Sequence, residues 1–153
     1  IFIFTFLFFN HLYSAEIIIQ GNSRVVYDDF TFTDNSKYII INQEGQWTDI
    51  IGNYGASECK GLIKRNDNNI MDFFDIICQS TNQNKVVTWR KFERTGSEIV
   101  RVVGGSKIID TTSKYKKQLI GTKCNYAVNR TKDMVFSKAV CKVSDELYKK
   151  LTK

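Results

Sequence analysis

The sequence predicts an all-β fold: a single antiparallel β-barrel, or a sandwich, of about eight strands, with two disulfides inside hairpins and a short C-terminal helix. Three observations carry that reading. Short β-branched and aromatic runs alternate with turn-forming clusters along a chain of 153 residues. The four cysteines fall into two symmetric pairs. A helical period of 3.6 residues occurs only in SDELYKKL (144–151).

Residues 1–15, IFIFTFLFFNHLYSA, hold five phenylalanines and no charged residue. The run is shorter than the roughly 20 residues of a membrane span and suits the apolar core of a signal peptide. Ser14 and Ala15 are small enough to precede a cleavage site, so 1–15 reads as a signal peptide, truncated at its start, and 16–153 as one secreted β domain without a transmembrane segment. The only histidine, His11, leaves with that signal. Without histidine, Ser-His-Asp and Cys-His catalysis and the usual zinc sites are excluded from the mature domain. The expectation is therefore a non-enzyme with no cofactor and no metal.

Downstream, VVYDDFTFT (25–33), KYIIIN (37–42), NKVVTWRKFER (84–94), EIVRVV (98–103) and KIID (107–110) read as strands. Asp34-Asn35-Ser36, Gly52-Asn53-Tyr54-Gly55, Asn82-Gln83-Asn84, Thr95-Gly96-Ser97 and Gly104-Gly105 read as the turns between them. At the C-terminal helix Ser144 is placed to cap the first turn, with Asp145 and Glu146 at the positive end of the dipole.

The cysteines fix two more hairpins. Cys59 and Cys78 are equidistant from Asn68-Asn69, and Cys124 and Cys141 from Lys132-Asp133. Folding each segment about its centre sets the thiols opposite each other, which favours Cys59–Cys78 and Cys124–Cys141. A pairing between the two hairpins is the alternative, because spacing alone does not decide connectivity.

Two motifs bear on architecture. EGQWTDIIGNYG (44–55) contains a G-x-W at 45–47 that resembles the opening strand of lipocalins and, more loosely, of avidins. GGSKIIDTTSKYKKQLIGTKCNYAV (104–128) resembles the penultimate hairpin of allene oxide cyclase-like and dirigent-like barrels, in which a glycine-rich turn and an aromatic precede a glycine bend. Thr111 and Ser113 stand where that family has glycines. The resemblance implies that Tyr115 plugs a barrel end, that Leu119 and Ile120 supply core, that Gly121 bends the chain into the next strand, and that the interior is a hydrophobic cavity. No catalytic residue carries over.

Charge is polarised. Residues 16–83 hold 5 Lys/Arg against 10 Asp/Glu, residues 84–113 hold 6 against 3, and residues 114–153 hold 11 against 3. Three functions compete. The first is a secreted barrel that binds a small apolar ligand or an extracellular partner, with Trp47, Phe74, Trp89 and Tyr126 as lining. The second is an effector-, salivary- or venom-type protein whose basic face (Lys114, Lys116, Lys117, Lys123, Lys132, Lys138) meets anionic glycans or membranes, without nucleic acid. The third is a cyclase- or isomerase-like enzyme using Asp72 and Asp75 beside Phe73 and Phe74. Asn129-Arg130-Thr131 is a glycosylation sequon, expected at a hairpin tip.

Overall fold

The computed structural model describes residues 14–94 and 101–153. Most of the expected signal segment, His11 included, lies outside them, as do the 95–97 turn and positions 98–100 of the strand expected over 98–103. Among the described residues, eight antiparallel strands close into one barrel in chain order. They are β1 (Ser14–Thr31), β2 (Lys37–Asp49), β3 (Tyr54–Arg65), β4 (Met71–Asn82), β5 (Val87–Arg94), β6 (Arg101–Thr111), β7 (Lys123–Thr131) and β8 (Met134–Ser144). Helix α1 (Lys116–Leu119) lies between β6 and β7, and α2 (Asp145–Leu151) follows β8. Ser14 and Ala15 are the first two residues of β1, opposite Ser144 and Val143 of β8.

Closure is made by β1, which pairs with β2 on one side and, from Ser14 to Arg24, with β8 on the other. Every strand therefore has two neighbours, and alternate side chains point into one shared interior. Outward positions around the barrel carry Glu16, Arg24, Glu44, Glu58, Lys64, Lys107, Lys138 and Lys142, all exposed. No helix among the described residues is long and apolar enough to cross a membrane.

The turns follow their sequence chemistry. Asn35, Asn69, Lys85 and Lys132 each adopt positive φ in a hairpin connection. At the first, the Asp34 carboxylate accepts from the Ser36 backbone N–H at 3.0 Å and from its hydroxyl at 2.7 Å. Both disulfides form as the spacing favoured: Cys59 pairs with Cys78 across β3–β4, and Cys124 with Cys141 across β7–β8. All four cysteines are buried and face inward.

One end of the barrel is capped. Ile17, Val143 and Leu147 form a buried cluster there, with Tyr115, Leu119, Tyr148 and Leu151 packed against it. Ser144 accepts from the Leu147 N–H at 3.2 Å and starts α2 as its sequence position suggests. Tyr115 thus covers the barrel end, and Gly121, at φ +90°, turns the chain toward β7. Ile120, expected in the core, is 41% exposed. Lys116–Leu119 closes into a helical turn, which directs Leu119 at the cluster and sends the next side chain outward.

The expected turn at Gly104-Gly105 is instead the middle of β6, and 101–111 is one strand. Gly104 sits opposite Tyr126, and a Cβ there would lie 2.7 Å from the Tyr126 hydroxyl. The glycine makes room for a ring from the next strand. A turn reading uses local propensity alone and has no access to that neighbour.

Each cystine closes a loop whose chain entropy in the unfolded state corresponds to about 3 kcal/mol. The double variant Cys59→Ser/Cys78→Ser is expected to lose about that much in urea unfolding, with the Cys124–Cys141 bridge intact by non-reducing peptide mapping. A loss under about 1 kcal/mol would show that β3–β4 register is held without the bridge.

Candidate functional site: an arginine-lined lumen

Inward-facing residues leave a cavity of about 140 Å³ inside the barrel. Its apolar wall includes Trp47, Phe74, Ile76, Phe92, Tyr126 and Val128, together with the Cys59–Cys78 bridge. Its polar groups include Ser23, Gln43, Ser57, Ser80 and Ser137. Among the described residues, three arginines also line it, Arg90, Arg94 and Arg130, and no aspartate or glutamate does.

Strand parity puts the arginines there. Cys78 faces inward and pairs with Arg90 of β5, so Arg90, Phe92 and Arg94 point into the barrel. Along β7, Cys124 and Tyr126 are inward, and Val128 and Arg130 continue the series. Arg65 ends the inward series of β3 that contains Cys59 and Ile63; it is buried and donates to the Asn69 carbonyl at 2.8 Å. Arg65, Arg94 and Arg130 are all near the strand ends opposite the helical cap.

The charges are held by particular contacts. The Arg130 guanidinium stacks over the Tyr27 ring, 4.8 Å from its centroid. Burial pushes the Arg94 guanidinium below its ordinary pKa, and Arg65 and Arg130 push it the same way. Burial also pushes Arg90 down to about 10, with Asp49 opposing that shift, so Arg90 stays charged at neutral pH. The Asp49 carboxylate is itself engaged by the Ile51 N–H at 3.1 Å and the Asn53 N–H at 2.8 Å. Phe92 and Tyr126 meet edge to face at 5.0 Å, and the Tyr126 hydroxyl donates to the Glu93 carbonyl at 3.3 Å. Desolvation raises the pKa of both Tyr27 and Tyr126, with nearby arginines opposing it.

Of the four residues expected to line a ligand cavity, Trp47, Phe74 and Tyr126 line this one. The Trp47 indole donates to the Ala56 carbonyl at 3.1 Å. Trp89 is on the outer face, where its indole donates to Gln79 at 3.1 Å. The register set by Cys78↔Arg90 gives the inward position to Arg90 and leaves Trp89 outside. Asp72 and Phe73 are exposed. Asp75 is ion-paired with Lys91 at 3.2 Å on the outer wall, so neither carboxylate reaches the lumen.

The six lysines do not share a face. Lys114 precedes α1 and Lys116 and Lys117 are its first two residues, at the capped end, Lys116 bonded to Asp110 at 2.7 Å and Lys114 set 5.1 Å from the centre of the Tyr115 ring. Lys123 opens β7 at that same end. Lys138 is on the outer wall of β8, and Lys132 is in the β7–β8 turn at the opposite end. A stretch of sequence rich in lysine is here distributed over the length of a barrel. Asn129 lies within β7, exposed, and not at the hairpin tip.

The lumenal arginines were missed because Trp89, the large apolar residue of NKVVTWRKFER, reads as lining the interior. A signal for them exists. A hairpin centred on Asn84 sets Arg90 opposite Cys78, and counting in twos from Cys59, Arg90 and Cys124 reaches Arg65, Arg94 and Arg130.

No protein-family model, curated protein or solved structure matches this chain.

The buried phenols provide a check on this arrangement. A tyrosine whose folded pKa is raised contributes stability below its ordinary value of 10.0 that is lost as pH rises through the folded value. In a phenolate absorbance titration, Tyr126→Phe is expected to shrink a late-ionising fraction and to cost about 1 kcal/mol, through loss of the bond to Glu93. An unchanged late fraction would place Tyr126 in contact with water.

Proposed function

We propose that this chain is an exported, disulfide-pinned β-barrel that binds a small molecule in its lumen. The observation that supports this most directly is the 140 Å³ cavity lined by aromatic and aliphatic side chains from all around the barrel. An apolar cavity of about that size takes up a benzene-sized guest. Two buried cystines fit an oxidising compartment, and cross-linked walls fit a preformed site. The likeness of 104–128 to barrels with hydrophobic interiors points the same way, and an exposed Asn129 is compatible with glycosylation after export.

The lumen can be tested separately from the surface. Ala139 lines it from β8, and Ala139→Phe is expected to fill it. Native mass spectrometry of the wild-type protein, purified from its secreting host and then mixed with a panel of single-ring aromatic compounds, should show one-to-one complexes that this variant lacks. Complexes that persist in a folded Ala139→Phe protein would move binding to the outer surface.

A further inference from the structure

The composition of the lumen specifies more than a small guest. Arg90, Arg94 and Arg130 all line it, and among the described residues no carboxylate does. Among the described residues neither Arg94 nor Arg130 forms an ion pair, and the buried Nε of each has no hydrogen-bond partner. Arg90 has Asp49 as a countercharge, but holding the Arg94 and Arg130 guanidinium groups inside a barrel without one is costly, because buried charge is tolerated when paired and hydrogen-bonded. The outer wall has acids that pair with bases, as Asp75–Lys91 and Asp133–Arg24 do.

The arginines also have built surroundings. Tyr27 holds the face of the Arg130 guanidinium, which leaves its in-plane N–H groups for an acceptor. Beside Arg94 and Arg130 the wall is apolar, with Phe92, Val128, Val135 and Ile63. Charge at one side and hydrocarbon at the other define an amphiphilic guest.

Building on the lumenal binding reading, we propose that the ligand is a small organic anion with an apolar body, its oxyanion group held by Arg94 and Arg130. A carboxylate and a phosphate monoester share the acceptor geometry that guanidinium recognises. The apolar body then lies along Phe92 and Val128 toward the Phe74 side of the cavity.

Trp47 lines the lumen and Trp89 does not, so a Trp89→Phe protein reports the cavity through Trp47 fluorescence. That protein is titrated with benzoate, phenyl phosphate, neutral benzyl alcohol and inorganic phosphate, at low and high salt. Benzoate or phenyl phosphate is expected to bind at least about tenfold more tightly than benzyl alcohol or inorganic phosphate, and more weakly as salt rises. Arg94→Gln and Arg130→Gln, each confirmed folded by near-ultraviolet circular dichroism, should weaken the anion about 10- to 100-fold and leave benzyl alcohol unchanged. Lys132→Gln, at the adjoining turn, should weaken neither and serves as the control for diffuse charge. Equal affinity for benzoate and benzyl alcohol, or indifference of the anion to both arginine variants, overturns the anion assignment while leaving lumenal binding in place. Inorganic phosphate binding as tightly as phenyl phosphate overturns the apolar body. Binding of none of the four overturns both this inference and the lumenal reading.

Discussion

The pairing of β1 with β8 is the constraint on which the rest of this structure depends. Eleven residue pairs, from Ser14↔Ser144 to Arg24↔Met134, turn an eight-stranded sheet into a barrel. Once the sheet closes, no strand is left as an edge and every residue is either inside or outside. A one-residue slip anywhere would exchange the two sets. The cystines guard against that slip by fixing parity at Cys59↔Cys78 and Cys124↔Cys141, in strand pairs on separate parts of the wall.

The interior that results is not a uniform hydrocarbon core. One buried cluster gathers around Cys124, Cys141, Tyr126 and Val102, another around Val25, Ile41, Ile63 and Val135, and the third closes the helical end. The space between them is walled partly by serine, glutamine and arginine. Polar groups of this kind reduce the hydrophobic stabilisation that complete filling would give. Disulfides compensate by destabilising the unfolded chain, which lets the barrel keep a partly polar hollow. Stability and capacity to bind are thus supplied by different parts of one wall.

Much of the fold was legible from local chemistry. Asn-rich turns, equal spacing about Asn68-Asn69 and Lys132-Asp133, and the Ser144 cap are short-range signals, and each element they mark is present. Errors arose where a residue answers to a neighbour distant in sequence. Gly104-Gly105 has turn composition, yet Gly104 serves the ring of Tyr126 on the adjoining strand. Trp89 has the hydrophobicity of a lining residue, yet the pairing of β4 with β5 turns Arg90 inward. Lysines close together in sequence are separated when two of them flank a helix and another sits in a turn at the far end.

The sequence by itself determined much of the strand content, most hairpin turns, the cystine pairing that spacing favoured and the helix that ends the chain, but not the first half of β1. Those features follow from backbone preference and from short-range symmetry, both of which are written along the chain. Tertiary structure decided that Arg90 and not Trp89 faces the lumen, how the lysines are spread along the barrel, and that the described cavity wall is cationic. Inside and outside have no meaning for a single strand; they come into being when β1 meets β8 and the sheet acquires an interior.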